Sequence, residues 1–335
     1  MNKPLLYLVA LCSVVSLSAT RLSAQTPRSE LMIMATDDMW YASLDCIKNA
    51  RITRIRETYY KADTITRKVD MKKPYKITLY ALGYLGNTAY GTQQVAALGS
   101  DTNTLVENFQ WNYDVAGRLN VYQAASNDGF EFGNNVQVQR DANGLITYKA
   151  TATTFSLKTP AQPVEYAYEC TAVGNKLLAA KETPKNGGEG EQKRYFFTYD
   201  SNNNLINAKL DNTKGKEREY TYKYNANNKL TEEKQVWYSA YEQYVPGTTG
   251  SGSIFGVYLE GTAATTKTVK NETIYINTYE YDNQNRLVKI NYSFSSENSK
   301  SSSYQVYSYS PAGMLETISL YDEKGLTGIK KLICN

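Results

Sequence analysis

The stretch YEYDNQNRL, Tyr279–Leu287, decides how the rest of the chain is read. Tyr279 and Tyr281 are two residues apart, the spacing that puts side chains on one face of a strand. Asp282 opens a run of amides, and Arg286 and Leu287 close it. An Asp or Asn starts a turn because its side chain accepts backbone N–H groups two residues on, and a late Asn or Gly tolerates positive φ. Taken alone, the acid, the amides and the cation suggest a ligand loop.

Recurrence changes that reading, because internal repeats take precedence over single motifs. With the closing leucine as register mark, the same pattern returns as WNYDVAGRL (Leu119), FTYDSNNNL (Leu205), YKYNANNKL (Leu230) and YSYSPAGML (Leu315). In all five copies aromatic residues stand six and eight positions before the leucine: Tyr113 with Trp111, Tyr199 with Phe197, Tyr224 with Tyr222, Tyr281 with Tyr279, Tyr309 with Tyr307. Two looser copies are VQVQRDANGL, ending at Leu145 with one residue fewer in the turn, and EYAYECTAVGNKL, ending at Leu177 with one more. Gly117, Gly144, Asn203, Asn227, Asn285 and Gly313 fit the positive-φ role. The 57 residues from Leu230 to Leu287 are about two units, so an eroded copy or a long insertion is expected between them.

Each unit reads as a β-hairpin. Tyr195, Phe197 and Tyr199 share one face, as do Tyr220, Tyr222 and Tyr224, while Glu219, Thr221 and Lys223 take the other. Period two with a polar opposite face is a half-buried antiparallel strand. In the returning strand, Val288, Ile290, Tyr292 and Phe294 alternate out of phase with Leu287, which marks a bulge and makes the leucine a plug at the turn's end. The expected fold is all-β: a curled antiparallel sheet of hairpins that closes toward a barrel or winds into a short superhelix.

These units resemble the YD repeats of Rhs-type and teneurin-type proteins, with their Y-D-x-x-G-[RN]-L core, over roughly residues 109–322. The chain is also similar to secreted Bacteroidetes proteins of unknown function that carry degenerate YD-like units. The resemblance implies hairpins joined edge to edge into one strongly curled sheet, which in larger relatives spirals into a hollow shell. Seven or eight hairpins are too few to enclose another protein, and Asn225 and Ser310 stand where the pattern has aspartate.

Residues 1–24 have the order of a secretory signal peptide: Lys3, an apolar run from Leu5 to about Leu17, then Ser23 and Ala24. That run is too short to span a bilayer. A lipoprotein would use Cys12, yet Leu11 stands where a small residue is needed. Residues 25–105 read as an N-terminal segment continuous with the sheet, with a short helix over Thr36–Ile47 and strand-like RITRIRETYY after it. Residues 106–335 are the hairpin repeats, with an insertion near 238–270. Export places the chain in the periplasm, at the cell surface or outside the cell.

Composition excludes whole classes of chemistry. The chain has 30 Tyr and 0 His. Tyrosine suits a pleated, half-buried surface, and the absence of histidine removes Ser-His-Asp and Cys-His nucleophiles and almost every catalytic zinc site. A net charge of +4 without a basic block does not favour nucleic acid, and membrane association is peripheral at most. Cys46, Cys170 and Cys334 are too far apart for a metal knuckle and allow at most one bridge. DSNNNL at Asp200 mimics a calcium loop through Asp200, Asn202, Asn204 and Asp211, but Leu205 occupies the place of the required glycine. Glu131, Asp128 and Glu260 are loop acids without a catalytic motif, so no catalytic, cofactor or metal residue is assigned. A carboxylate-based glycan-active enzyme and an outer-membrane barrel remain as alternatives.

Aromatic residues outside the repeat register serve no repeat geometry, and Trp237, Tyr238, Tyr241, Tyr244, Phe255 and Tyr258 are therefore the expected ligand contacts. The function expected is a non-enzymatic exported binding or scaffold protein that meets a glycan or an envelope protein through exposed aromatics.

Overall fold

The computed structural model describes residues 54–334 apart from 86–87, 98–104, 114–118, 128–130, 155–162, 175, 186–190, 214, 246–252, 255–256 and 259–264. The expected signal peptide, the helix over Thr36–Ile47, Cys46 and the turn at Gly117 lie outside these residues. Among the described residues there are twenty strands. The first nine are β1 (Arg54–Lys61), β2 (Lys76–Leu85), β3 (Thr88–Ala97), β4 (Leu105–Tyr113), β5 (Leu119–Asn127), β6 (Glu131–Arg140), β7 (Ile146–Thr154), β8 (Val164–Val173) and β9 (Lys176–Pro184). Then come β10 (Lys193–Tyr199), β11 (Leu205–Asn212), β12 (Gly215–Tyr224), β13 (Leu230–Val245), β14 (Ser253–Ile254) and β15 (Val257–Tyr258). The last five are β16 (Thr265–Tyr281), β17 (Leu287–Ser295), β18 (Lys300–Tyr309), β19 (Leu315–Asp322) and β20 (Gly325–Cys334).

Eighteen of these form one sheet, and β14 and β15 pair only with each other. The all-β fold of joined hairpins is the one expected. Each strand of the sheet lies antiparallel to the next in sequence, with β13 passing directly to β16. β1 is held on both sides: Tyr59 lies opposite Lys76 of β2 and opposite Lys330 of β20. The ladder therefore returns on itself, and along the length of these rungs it leaves no open edge to recruit another chain.

Opposed residues in an antiparallel pair share a face, so the buried face can be followed from β6 to the seam. It runs through Val138, Lys149 and Tyr166, through Tyr168, Glu182 and Lys193, and through Tyr195, Leu210, Arg218 and Trp237. It continues through Gln235, Tyr275 and Phe294, and reaches the seam through Tyr307, Ile318, Lys330 and Tyr59. Among the described residues this inner face carries two separate apolar clusters, one around Val136, Ile146, Tyr168, Phe197 and Leu205, the other around Ile55, Ile290, Tyr307, Leu315 and Ile318. The outer face carries cross-strand ion pairs: Lys181 with Glu169 at 3.6 Å, Lys223 with Glu232 at 2.8 Å and Lys289 with Glu280 at 3.6 Å. At the seam Gly328 leaves room for the Tyr59 ring, which would collide with any Cβ there.

The repeated turns share one hydrogen-bond scheme. Asp282 accepts the N–H groups of Gln284 and Arg286 on Oδ1, and its own N–H donates to the Arg286 carbonyl. Asp200 does the same with Asn202 and Asn204, and Asn225 with Asn227 and Lys229. Ser310 keeps one such bond, from the Met314 N–H. Positive φ falls at Gly144, Asn203, Asn228, Asn285 and Gly313. The expectation for Asn227 is thus off by one residue: Asn228 takes the left-handed conformation, and the Asn227 side chain reaches the next turn, donating to Asn285 at 2.9 Å.

After each turn the register shifts by one residue, opposite Leu205 at Tyr199, Leu230 at Tyr224, Leu287 at Tyr281 and Leu315 at Tyr309. The bulge returns the following strand to phase, and Leu205, Leu287 and Leu315 are buried as plugs. The same shift occurs opposite Arg140 at Ile146, which is 2% exposed. Ile146, not Leu145, is therefore the plug of that copy, and its turn has the full length. The long interval before Leu287 is one stretched hairpin, β13 with β16, and not an eroded copy.

One contact recurs between successive hairpins from β8 onward. The hydroxyl of Tyr199 donates to the carbonyl of Leu177, Tyr224 to Leu205, Tyr281 to Leu230 and Tyr309 to Leu287, at 2.9, 2.9, 2.8 and 2.7 Å. The ladder between hairpins stops short of each acceptor; β11 and β12, for example, last pair at Asn207 and Thr221. The plug carbonyl lies past the final rung, and the tyrosine of the following hairpin satisfies it. Where Cys170 stands on β8, its thiol makes the equivalent contact with the Ile146 carbonyl at 3.3 Å. Burial pushes the Cys170 thiol up to about 11 and the Tyr281 hydroxyl up to about 12, so both keep their protons at neutral pH. Tyr281→Phe is expected to lower stability by about 1 kcal/mol, read as a fall in the urea midpoint with an unchanged slope; an unaltered midpoint would remove the hydroxyl from the account.

Candidate functional site

The long hairpin brings an aromatic strip onto the inner face. Trp237 of β13, Tyr275 of β16 and Phe294 of β17 lie on adjacent strands, with Gln235 opposite Tyr275 and Tyr275 opposite Phe294. Ring centroids are 5.4 Å apart between Trp237 and Tyr275 and 5.2 Å between Tyr275 and Phe294, with planes tilted by 54° and 51°. The three rings form a curved strip and not a flat stack. The Arg218 guanidinium sits over the Trp237 ring at 4.3 Å, a favourable arrangement of cation and π face. Trp237 keeps 38% of its surface exposed, which is unusual for so large an apolar ring with packed neighbours. Beside the strip, Gln235 donates to Glu233 at 3.0 Å and Tyr279 donates to the same carboxylate at 3.2 Å. Planar rings bordered by amide and carboxylate groups can stack on one side of a ligand and hydrogen-bond its rim.

A second cluster on the inner face is fully enclosed. Glu182 Oε2 accepts from Lys149 Nζ at 2.8 Å, from the Tyr168 hydroxyl, and from the Tyr195 hydroxyl at 3.3 Å. Lys149 Nζ also lies over the Tyr166 and Tyr168 rings, at 4.8 and 5.4 Å. Burial pulls the Lys149 amine below the ordinary lysine range, and the Glu182 charge opposes that shift. Burial, reinforced by Glu182, pushes both the Tyr168 and the Tyr195 hydroxyl far up, so both remain donors. Every group is turned toward one carboxylate oxygen, which makes this a wall tie. A neighbouring cavity of about 30 Å³, lined by Tyr195, Phe197, Leu210, Arg218 and Tyr220, has room for little more than water. Among the described residues no three His, Cys, Asp or Glu side chains gather to hold a metal ion. Cys170 and Cys334 are free thiols.

The six expected contact residues do not make one surface. Trp237 faces inward in the strip, whereas the next residue, Tyr238, faces outward. There its ring lies under Lys216 Nζ at 4.5 Å and its hydroxyl donates to Glu219 at 3.4 Å. The Lys216–Glu219 hydrogen bond raises the lysine and lowers the carboxyl from their usual ranges. Tyr241 and Tyr244 lie on β13 opposite Val269 and Thr266, and Tyr258 lies on β15, but their side chains are outside the described residues. Phe255 is outside them altogether. Sequence reasoning missed Tyr275, Phe294 and Arg218: the first two reach Trp237 through the register of the long hairpin, and Arg218 through that of β12 with β13.

No protein-family model matches the chain, and no curated protein does. Solved structures include three with partial likeness. The crystal structure of TcdB2-TccC3-Cdc42 aligns with 15% identity over 73% of this chain and 14% of that one, at a TM-score of 0.27. A porin-like protein from Bacteroides uniformis aligns with 9% identity over 85% and 96%, at 0.36. A Bacteroides fragilis protein with a YmcC-like fold aligns with 12% identity over 83% and 92%, at 0.18. The chain thus spans about one seventh of the toxin chain, and no activity is carried over from any of the three.

Removing one partner of the buried tie leaves the other charge without its counterpart. Lys149→Met is expected to destabilise the sheet by about 3 kcal/mol or more, and Lys149→Met with Glu182→Leu to recover most of that loss. Chemical unfolding of the single and double variants measures both; equal stabilities for the two would show that the tie holds nothing.

Proposed function

We propose that the protein is an exported, non-enzymatic binding protein of the cell envelope that takes a glycan on its inner aromatic strip. The observation that carries the reading is the set of three contiguous inward rings, Trp237, Tyr275 and Phe294, with Trp237 part-exposed among its packed neighbours. The C–H faces of sugar rings stack on such surfaces, and the spacing between adjacent rings is close to that between successive sugar units. Gln235 and Glu233 at the strip's margin supply the hydrogen-bonding groups that hydroxyls need. A chain without histidine, whose enclosed acid is held by one amine and two phenols, supports binding over turnover. The leader-like composition of residues 1–24 supports export.

A spanning outer-membrane barrel is the less favoured alternative. Lipid-facing strands need an apolar outer band, and here the outward positions carry Lys223 with Glu232 and Lys289 with Glu280.

Binding to neutral polysaccharides, followed by affinity electrophoresis and calorimetry, tests the proposal. Trp237→Ala with Phe294→Ala is expected to weaken binding roughly tenfold or more, with no reducing ends released by either protein and no loss of thermal stability sufficient to unfold it. Undiminished binding by the double variant, or hydrolysis that disappears when a single acid is changed, would overturn it.

A further inference from the structure

The long hairpin stands off the closed sheet. β12 last pairs with β13 at Arg218 and Trp237, and β17 last pairs with β16 at Ile274 and Ser295. Beyond those rungs β13 and β16 continue together for eight more, from Tyr238 opposite Glu272 to Val245 opposite Thr265. Among the described residues no third strand pairs with this ribbon, so each of its two strands presents an outer edge. A two-stranded ribbon in water is marginal, and three or more strands are needed for independent stability. Among the described residues the β2–β3 hairpin also outruns its neighbours, by the four rungs from Leu82 opposite Gly91 to Leu85 opposite Thr88; this arm, with eight, is twice as long.

The two edges differ in sequence. The β16 edge, TTKTVKNE, carries Lys267 and Lys270, the residue type that guards natural edges against pairing. The β13 edge, YSAYEQYV, has no lysine and no proline, is rich in strand-forming residues, and bears the single charge of Glu242. In antiparallel self-pairing, a residue on the two-fold axis faces its own copy. An axis at Tyr241 sets Ala240 opposite Glu242 and Ser239 opposite Gln243; an axis at Gln243 sets Tyr241 opposite Val245 and Glu242 opposite Tyr244. Neither arrangement opposes like charges, and only an axis at Glu242 itself would.

We propose that the β13 edge of this arm, Ser239–Val245, pairs antiparallel with the same edge of a second copy of the chain. The product is a four-stranded ribbon joining two closed sheets by an isologous contact, the commonest symmetry of soluble assemblies. The proposal is independent of the glycan reading, since the aromatic strip lies below the arm on the inner face.

Sedimentation equilibrium on the full chain tests it. A concentration-dependent dimer is expected. Tyr241→Lys with Gln243→Lys, which puts a lysine against its own copy at either axis, is expected to raise the dimer dissociation constant at least about tenfold. Thr266→Lys with Thr268→Lys on the opposite edge is expected to leave it unchanged, and far-ultraviolet circular dichroism of both variants is expected to match the parent. A chain that stays monomeric at every soluble concentration, a dimer indifferent to the β13 lysines, or one lost through the β16 lysines instead would overturn the proposal.

Discussion

A tyrosine hydroxyl that reaches back to the carbonyl of the preceding plug residue is the contact on which this sheet depends. Hairpins are local and form readily, but the offset between one hairpin and the next must be fixed by something other than the turn. The bonds from Tyr199, Tyr224, Tyr281 and Tyr309 fix it, because each joins the turn-proximal end of one hairpin to the first returning residue of the one before. A carbonyl past the last rung would otherwise be left to find a partner on its own. Phenylalanine could fill the same space without making that bond, which accounts for tyrosine at this position in these four copies.

A constant offset has a global consequence. Repeated around the ring, it brings β20 to β1 in register, with Thr58 opposite Lys331 and Leu332 opposite Glu57. That pairing separates an inner from an outer face. The inner face carries tyrosines, two apolar clusters and buried ties such as Lys149–Glu182, while the outer face carries solvated ion pairs. Stability is therefore distributed around a wall and not gathered into one core. Gly328 shows how closely the seam is fitted, since a Cβ there would force the Tyr59 ring to shift.

The hairpins, turns and plugs were legible because each is encoded within about nine residues, and Asp282, Asn285 and Leu287 do what their types and spacing imply. The slips at Asn227 and Leu145 have one cause. Neighbouring residues of the same kind, Asn227–Asn228 and Leu145–Ile146, make the register ambiguous by one, and only the bulge resolves it. Once Ile146 is recognised as the plug, the position three residues later reads Lys149, Ala180, Ala208, Glu233, Ile290 and Ile318 across the copies. Lys149 and Glu233 then stand out as polar intrusions in an apolar row. The aromatic strip was only partly legible. Trp237 was visible as an aromatic outside the repeat, but Tyr275 and Phe294 meet it through pairings set by hairpin length, a non-local quantity.

The repeat thus accounts for architecture, and the departures from it carry the functional reading: one overlong hairpin supplies both the inner strip at its base and the projecting arm. All of this presupposes that β1 and β20 join the two ends of the ladder. Amide hydrogen exchange across the β1–β20 seam tests that most directly. The closed ladder predicts that the amides of the Tyr59–Lys330 and Glu57–Leu332 rungs are as protected as those of interior rungs such as Lys209–Glu219. Seam amides that exchange at the rate of an open strand edge, while the interior rungs stay protected, would contradict it.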